Sequence, residues 1–244
     1  NYIVNINKNK KEDIKFELDN GSGVVLIDNI TEEEFINISK YLGKFQTQNI
    51  QGDKIVTIKD IGSKLSSGRY HQSNVGGSYH TDCPQWDKVV NYLGMYCVIP
   101  AENGGDSKLV NVKDVYDKME KDSPKLLKVL FDKFYFDKRE YIEGESKTIL
   151  KSIFSYIDDK LCFRYLREYV ISGHEIENKL LSKIQKLALS KLDDIIHDEN
   201  LVTSMKLKKN QALFVDNQRI IHGRDSFIDS KIKRELRRVW LCKQ

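Results

Sequence analysis

Three residues, two of them near neighbours and the third far downstream, carry side chains of the types that can hold a metal ion. His80 and Asp82 stand two positions apart behind the glycine-rich segment Gly76-Gly77-Ser78. On an extended strand, residues two apart point to the same side, so an imidazole and a carboxylate can converge there on one ion. His222 closes the run Phe214-Val-Asp-Asn-Gln-Arg-Ile-Ile-His222, at the end of a predicted strand. Together the three make a two-histidine, one-carboxylate facial triad. That donor set suits non-haem iron(II) and leaves open positions for a cosubstrate and O2.

The H-x-D spacing is weak by itself, since 5 histidines among 36 acidic residues produce such pairs by chance. His197-Asp198-Glu199 is such a pair. It ends an amphipathic helical segment, where residues two apart diverge, and it reads as a solvated helix terminus whose imidazolium suits the dipole. His80 taken alone reads as a hydrogen-bonded loop histidine. The company it keeps changes that. Gly104-Gly105-Asp106-Ser107 follows the next strand, and Arg234 and Arg238 follow His222 within Arg234-Glu-Leu-Arg-Arg-Val-Trp240. A 2-oxoglutarate molecule that chelates iron through its keto-acid end needs a cation and a hydroxyl for its distal carboxylate, and arginine and serine supply both. A strand places Arg234, Leu236 and Arg238 on one face and Glu235, Arg237 and Val239 on the other, so two arginines share a face.

With these pieces the chain resembles the taurine/2-oxoglutarate dioxygenase (TauD/TfdA-like) family, in particular its clavaminate-synthase-like branch. The matching motifs are the H-T-D of His80 to Asp82, the G-G-D-S of Gly104 to Ser107, the D-N-Q-R-I-I-H-G-R of Asp216 to Arg224, and the closing R-x-L-x-R-x-W of Arg234 to Trp240. They occur in family order and span most of the chain. The resemblance implies His80, Asp82 and His222 as ligands of Fe(II). It implies Arg234 as the salt-bridge partner of the 2-oxoglutarate carboxylate and Ser107 as its hydroxyl partner, where relatives often have Thr. Arg238 carries over as a second arginine that faces substrate or cosubstrate. An aspartate at position 82, in place of Gly or Ala, implies oxygenation and not halogenation. The fold implied is mostly β with flanking helices, a double-stranded β-helix of the jelly-roll, cupin-like kind. The activity implied is O2-dependent hydroxylation or desaturation of an unactivated C–H bond in a small polar molecule such as an amino acid or derivative, with succinate and CO2 as coproducts.

Substrate-side candidates are fewer. Arg164 lies in a predicted strand, where an inward guanidinium would be costly unless it met an anion, so it could clasp a substrate carboxylate; with Phe163 and Tyr165 inward it would instead face solvent. Arg69, Tyr70 and Asn74, in the loop leading to His80, could contribute to a lid, as loops at an open barrel end often do. The charged segment 137–145 fits either an insertion over the site or a surface hairpin.

The elements that must position these residues are mostly strands, expected at 24–27, 55–58, 89–99, 108–111, 161–166, 204–207, 212–215, 219–221 and 238–242. Three helices are expected. The first runs from Thr31 to about Lys44, with Thr31 and Glu34 as a capping box and Phe35, Ile38 and Leu42 on one face. The second opens at Ser123 with Pro124 at its first position and carries Leu127, Leu130 and Phe134. The third spans roughly 177–197, with Leu181, Ile184, Ala188, Leu192 and Ile195 on its stripe.

No repeat, low-complexity segment or linker marks a boundary in the 244 residues, so one domain spanning 1–244 is expected. Apolar residues at 40% and charged residues at 31% suit a soluble globular chain. No stretch is apolar and long enough for a bilayer, and the first residues lack a signal-peptide pattern, which makes the cytoplasm the default. Cys83, Cys97, Cys162 and Cys242 show no CxxC pairing, so neither a zinc ribbon nor a disulfide framework is suggested. The net charge of +4 is spread along the chain without a basic arm or stripe, which argues against nucleic acid as the main partner. The rival from another class is a non-catalytic metal- or ligand-binding β-sandwich module.

Overall fold

The computed structural model describes residues 2–49, 51–59, 77–228 and 233–243. The N-terminal part contains β1 (Val4–Asn5), α1 (Lys11–Asn20), β2 (Val24–Ile27), α2 (Glu32–Leu42), β3 (Lys44–Phe45) and β4 (Ile55–Lys59). Next come β5 (Gly77–His80), β6 (Tyr92–Ile99), β7 (Asn103–Gly104) and β8 (Ser107–Asn111). The middle of the chain holds α3 (Val112–Asp122), α4 (Pro124–Val129), β9 (Lys133–Asp137), β10 (Thr148–Ser152), β11 (Phe154–Ile157), β12 (Lys160–Phe163), α5 (Arg167–Ile176) and α6 (Lys183–Ile196). It ends with β13 (Val202–Met205), β14 (Ala212–Asp216), β15 (Ile220–Arg224), β16 (Phe227–Ile228) and β17 (Glu235–Cys242). The backbone divides into two compact units, one made of residues 1–78, 90–109 and 203–244, the other of 79–89 and 110–202.

The first unit is built on a sheet in the order β1-β2-β14-β6-β17-β3, with β4 also paired to β17. Its central strand β14 is buried along its whole length, which explains why its sequence, Ala-Leu-Phe-Val-Asp, is nearly continuous in apolar residues. Alternation sorts the side chains into two cores. Ala212, Phe214, Val239 and Leu241 face α1 and α2, meeting Ile14, Leu18, Phe35, Ile38 and Leu42. Leu213, Val215 and Leu236 face the other way and pack with Leu109 of β8 and Ile220 of β15. A four-stranded sheet runs β13-β8-β15-β5. The mostly β architecture with flanking helices is that of the double-stranded β-helix expected from the sequence. Helix α2 carries the full capping box between Thr31 and Glu34.

In the second unit α3, α4 and α6 pack together, and α5 lies on the β9–β10 hairpin. Aromatic rings of Tyr116, Phe131, Phe154, Phe163 and Tyr165 stack in series through it. His174 of α5 is buried and holds the hairpin: its Nε2 accepts from the Tyr135 N–H at 3.2 Å, and its Nδ1 lies 2.6 Å from the Lys179 carbonyl. The two contacts together fix the neutral tautomer with the proton on Nδ1. Gly173 touches the hairpin backbone directly; a Cβ there would come within 2.4 Å of the Tyr135 carbonyl oxygen.

Two expected helices are shorter than their apolar spacing suggested. The one opening at Pro124 ends at Val129, because the N–H groups of Leu130, Phe131 and Asp132 each bond three residues back and tighten the last turn; Phe134 belongs to β9. The segment 177–197 does not hold one continuous helix. Helix α5 stops at Ile176, Asn178 takes a left-handed φ of 53°, and α6 starts afresh behind Ser182, which forms a capping box with Gln185. No helix of the described residues is long and apolar enough to cross a membrane.

The close approach at Gly173 predicts that Gly173→Ala overpacks the α5–β9 contact and costs about 1–3 kcal/mol. Urea denaturation followed by circular dichroism reads this directly; an unchanged midpoint would show that the hairpin yields freely.

Candidate metal centre

His80 is the last residue of β5, and Asp82 lies just beyond the strand end, not on the strand as the spacing suggested. What holds the carboxylate on the imidazole side is Thr81, whose side chain is buried. The Thr81 N–H donates to the Tyr165 carbonyl at 2.9 Å, and the Thr81 hydroxyl accepts from the Tyr165 N–H at 3.0 Å. With Thr81 pinned to Tyr165, its two neighbours approach each other, and His80 Nε2 lies 3.5 Å from Asp82 Oδ1.

The chain then turns through Cys83, at a left-handed φ of 56°, and the Trp86 N–H closes the turn on the Cys83 carbonyl. Arg164 locks this turn from outside. Its guanidinium donates to the carbonyls of Pro84 at 3.1 Å, Trp86 at 2.7 Å and Asp87 at 3.4 Å. The structure therefore gives Arg164, expected from the sequence as a substrate clasp or a solvent-facing residue, a different set of partners. Burial is the main influence on the group and pulls its pKa below the ordinary guanidinium value, with Asp87 acting in the opposite sense.

His222 is set by the turn that precedes it. Asp216 accepts from the Gln218 N–H and from Arg219 Nε, both at 2.9 Å, and Arg219 Nη1 reaches the Gly21 carbonyl at 3.0 Å while Nη2 bonds the Leu18 carbonyl. Arg219 thus satisfies carbonyls at the C-terminal end of α1 that have no partner inside the helix. Asn217, fully buried, donates from its side chain to the Val90 carbonyl at 3.0 Å. Ile220 is fixed in the core, and alternation carries its direction to His222. Beyond the histidine, β16 pairs with β7, and the Asp225 N–H donates to the Asp106 carbonyl at 3.0 Å. Gly104 and Gly105 both have positive φ, 69° and 71°, which is why this turn needs two glycines.

These supports bring one ligand atom each of His80, Asp82 and His222 within 4.8 Å of one another. Asp82 is buried, and both imidazoles are partly so. Donor atoms bound at about 2.1 Å to a common ion stand roughly 3–4 Å apart, so atoms within 4.8 Å of one another need draw in only slightly to share one divalent cation. Two imidazoles and one carboxylate also match the chemistry of an iron(II) site with open positions.

Arg234 is buried just before β17. Burial pushes the thiol of Cys97 up to about 11, with the Arg234 charge drawing it the other way. Ser107, half-buried, opens β8. Arg238 donates from Nε to Gln48 Oε1 at 2.7 Å and lies 4.6 Å above the Trp240 ring. Arg237 points the other way, to Glu32 at 3.0 Å and Glu235 at 2.7 Å. His197 follows α6 as a helix terminus, with Nδ1 against the Asp193 carbonyl and its ring edge-on to Tyr79. Asp137, in the charged segment 137–145, is buried and accepts from Ser172 at 2.7 Å and Tyr141 at 3.0 Å. Arg69, Tyr70 and Asn74 lie outside the described residues.

Thr81, Gln48 and Arg219 escaped the sequence-based selection. Thr81 and Arg219 sit inside the H-T-D and D-N-Q-R motifs, so a positional reading of those motifs could have found them. Gln48 has no such signal.

The family model described as "Taurine catabolism dioxygenase TauD, TfdA family" matches residues 4–240. FR-33289 synthase of Streptomyces rubellomurinus is 28% identical over 214 residues, covering 84% of this chain and 61% of that protein, so the chain spans less than two thirds of this relative. Among solved structures, an asparagine oxygenase in complex with Fe(II), 3-hydroxyasparagine and succinate superimposes with a TM-score of 0.73 at 10% identity, over 100% of this chain and 94% of that one. The non-haem iron oxygenase OrfP in complex with Fe and alpha-ketoglutaric acid gives 0.67 at 16% identity, over 96% and 80%. At these identities the likeness establishes the fold.

Thr81→Val keeps the shape of the side chain but removes the acceptor for the Tyr165 N–H. A loss of about 1–3 kcal/mol in stability is expected from the stranded donor. Loosening the support of two ligands should weaken Mn(II) binding by about 10-fold or more. Calorimetric titration with Mn(II) measures the second effect, and wild-type affinity in the variant would remove Thr81 from the account.

Proposed function

Because the chain belongs to the TauD/TfdA dioxygenase family, we propose that it is an Fe(II)- and 2-oxoglutarate-dependent oxygenase whose metal is held by His80, Asp82 and His222. The approach of those three side chains to within 4.8 Å carries this reading. With iron, 2-oxoglutarate and O2 bound, the site supplies oxidation of an unactivated C–H bond, leaving succinate and CO2.

The protein's own residues do the rest. Asp82, a buried carboxylate, is costly to hold in a poorly hydrated place unless a cation shares it, so the loop built on Thr81 and Arg164 is prepared for a metal before one arrives. The imidazoles of His80 and His222 would hold the ion together with Asp82, a set of three protein donors that would leave room for cosubstrate. Arg234, buried just before β17, offers a forked, permanently charged partner for the distal carboxylate of 2-oxoglutarate, with the Ser107 hydroxyl as its second donor. Arg238 shares its strand face with Leu236 and Trp240 and is the cation nearer to solvent, which suits an anionic group on the substrate.

The substrate class that fits is a small polar molecule carrying a carboxylate or similar anion, an amino acid or derivative, and the outcome is hydroxylation or desaturation. The hydroxyasparagine held by the solved asparagine oxygenase supports that choice. We treat residues 1–244 as one oxygenase domain acting in the cytoplasm; the family match over 4–240 supports the single domain, and four free cysteines suit a reducing compartment.

Anaerobic addition of Fe(II) and 2-oxoglutarate should produce the weak visible charge-transfer band of a chelated keto acid in the wild type, and Asp82→Ala should lose both the band and 2-oxoglutarate-dependent succinate formation. A wild type without the band would return the chain to a non-catalytic binding module, and an Asp82→Ala variant with full turnover would refute the ligand assignment.

A further inference from the structure

Arg238 is held in an unusual way for a charged residue. Among the described residues no carboxylate pairs with it, whereas its neighbour Arg237 has two. Its side-chain hydrogen-bond partner among those residues is a neutral amide, Gln48 Oε1 at 2.7 Å from Nε, and its flat face rests on Trp240 at 4.6 Å. Gln48 is itself fixed. Its Nε2 donates to the Arg238 carbonyl at 2.9 Å and to the Lys54 carbonyl at 3.0 Å, so both amide hydrogens are used. Its backbone N–H donates to the Asp53 carbonyl at 2.8 Å, and Asn49 and Asp53 close the same turn through two further bonds. Two carbonyl acceptors on one side of the amide leave its oxygen no orientation except toward the guanidinium.

The consequence is chemical. A glutamate at this position would still offer Nε an acceptor, but it would neutralise the charge and could not donate to the two carbonyls that hold the side chain in place. Glutamine orients the guanidinium and leaves its charge intact. Nε is occupied and one face is covered, so the Nη edge is what remains for a planar anion to meet in the forked geometry that guanidinium favours.

We infer that Gln48 is a positioning residue: its amide, with Trp240 beneath, pre-orients Arg238 so that the Nη edge receives the anionic group of the substrate. This rests on the oxygenase reading for the identity of the site, but the positioning itself is testable without turnover. The cost of ordering a long side chain, otherwise met at each binding event, is met here by the fold.

The test uses sulfate as the anionic probe and the 15N–1H signal of Arg238 Nε as the reporter, assigned by its loss in Arg238→Lys. In the wild type the signal should be sharp, protected from exchange, and shifted saturably by sulfate. Gln48→Ala should broaden it and weaken sulfate binding at least fivefold. Gln48→Glu, which still offers Nε an acceptor but cancels the charge and loses both carbonyl bonds, should weaken sulfate binding at least tenfold, more than Gln48→Ala does. A wild-type signal indifferent to sulfate, or equal sulfate affinity in all three proteins, would overturn the inference. The charge-transfer band recorded on the wild type judges the iron and 2-oxoglutarate reading separately, so failure of one is distinguishable from failure of the other.

Discussion

A buried carboxylate facing an imidazole at 3.5 Å, with a second imidazole brought up from more than 100 residues downstream, is a costly arrangement for a protein to fold around. Desolvation penalises the carboxylate, and each ordered side chain loses conformational freedom. A divalent cation relieves the first cost, and a rigid backbone spreads the second over the whole fold. Much of what surrounds the site can be understood as backbone control exercised at that point: Thr81 on Tyr165, Arg164 on the carbonyls of the turn after Asp82, and Asp216 with Arg219 on the end of α1.

These supports divide the motifs of the sequence into two kinds of residue. In H-T-D the outer residues belong to the His80, Asp82 and His222 cluster and the threonine is the fastening. In D-N-Q-R-I-I-H the histidine belongs to the cluster, the isoleucines are core, and Asp216, Asn217 and Arg219 tie the turn to neighbouring chain segments and to the end of α1. In G-G-D-S the glycines permit a turn with positive φ that pairs with the chain just beyond His222. Close placement of a few donors therefore requires many hydrogen bonds that never touch a ligand, and orientation of ligating groups by such outer partners is a general property of metal sites. Arg238 extends the principle to the organic ligand, since its direction is set by an amide and an indole that do not alter its charge.

Elements with strong local signals were legible in the sequence: the capping box and apolar stripe of α2, the continuous apolar run of β14, and the meeting of His80, Asp82 and His222. Helix α1 was not, because only Ile14 and Leu18 of Lys-Glu-Asp-Ile-Lys-Phe-Glu-Leu-Asp-Asn are buried and the remainder carries no periodic pattern. Helix α3 carries the period, Val112, Val115 and Met119 at i, i+3 and i+7, but only three apolar positions among charges, and it was passed over. The overextension of the helix starting at Pro124 came from Phe134, whose spacing fits a helix by coincidence while its burial comes from β9. Arg164 and Gln48 were illegible for a deeper reason: their partners are backbone carbonyls and, for Gln48, a guanidinium 190 residues away, and such contacts leave no trace in residue spacing.

The central claim is that His80, Asp82 and His222 share one metal ion. Crystals grown with Fe(II) under anaerobic conditions and measured on both sides of the iron absorption edge test it most directly. The account predicts a single anomalous peak within bonding distance of both imidazoles and the Asp82 carboxylate, with open positions on the face away from them. A peak at His197 or elsewhere on the surface, or a fully ordered triad with no iron between its members, would contradict it.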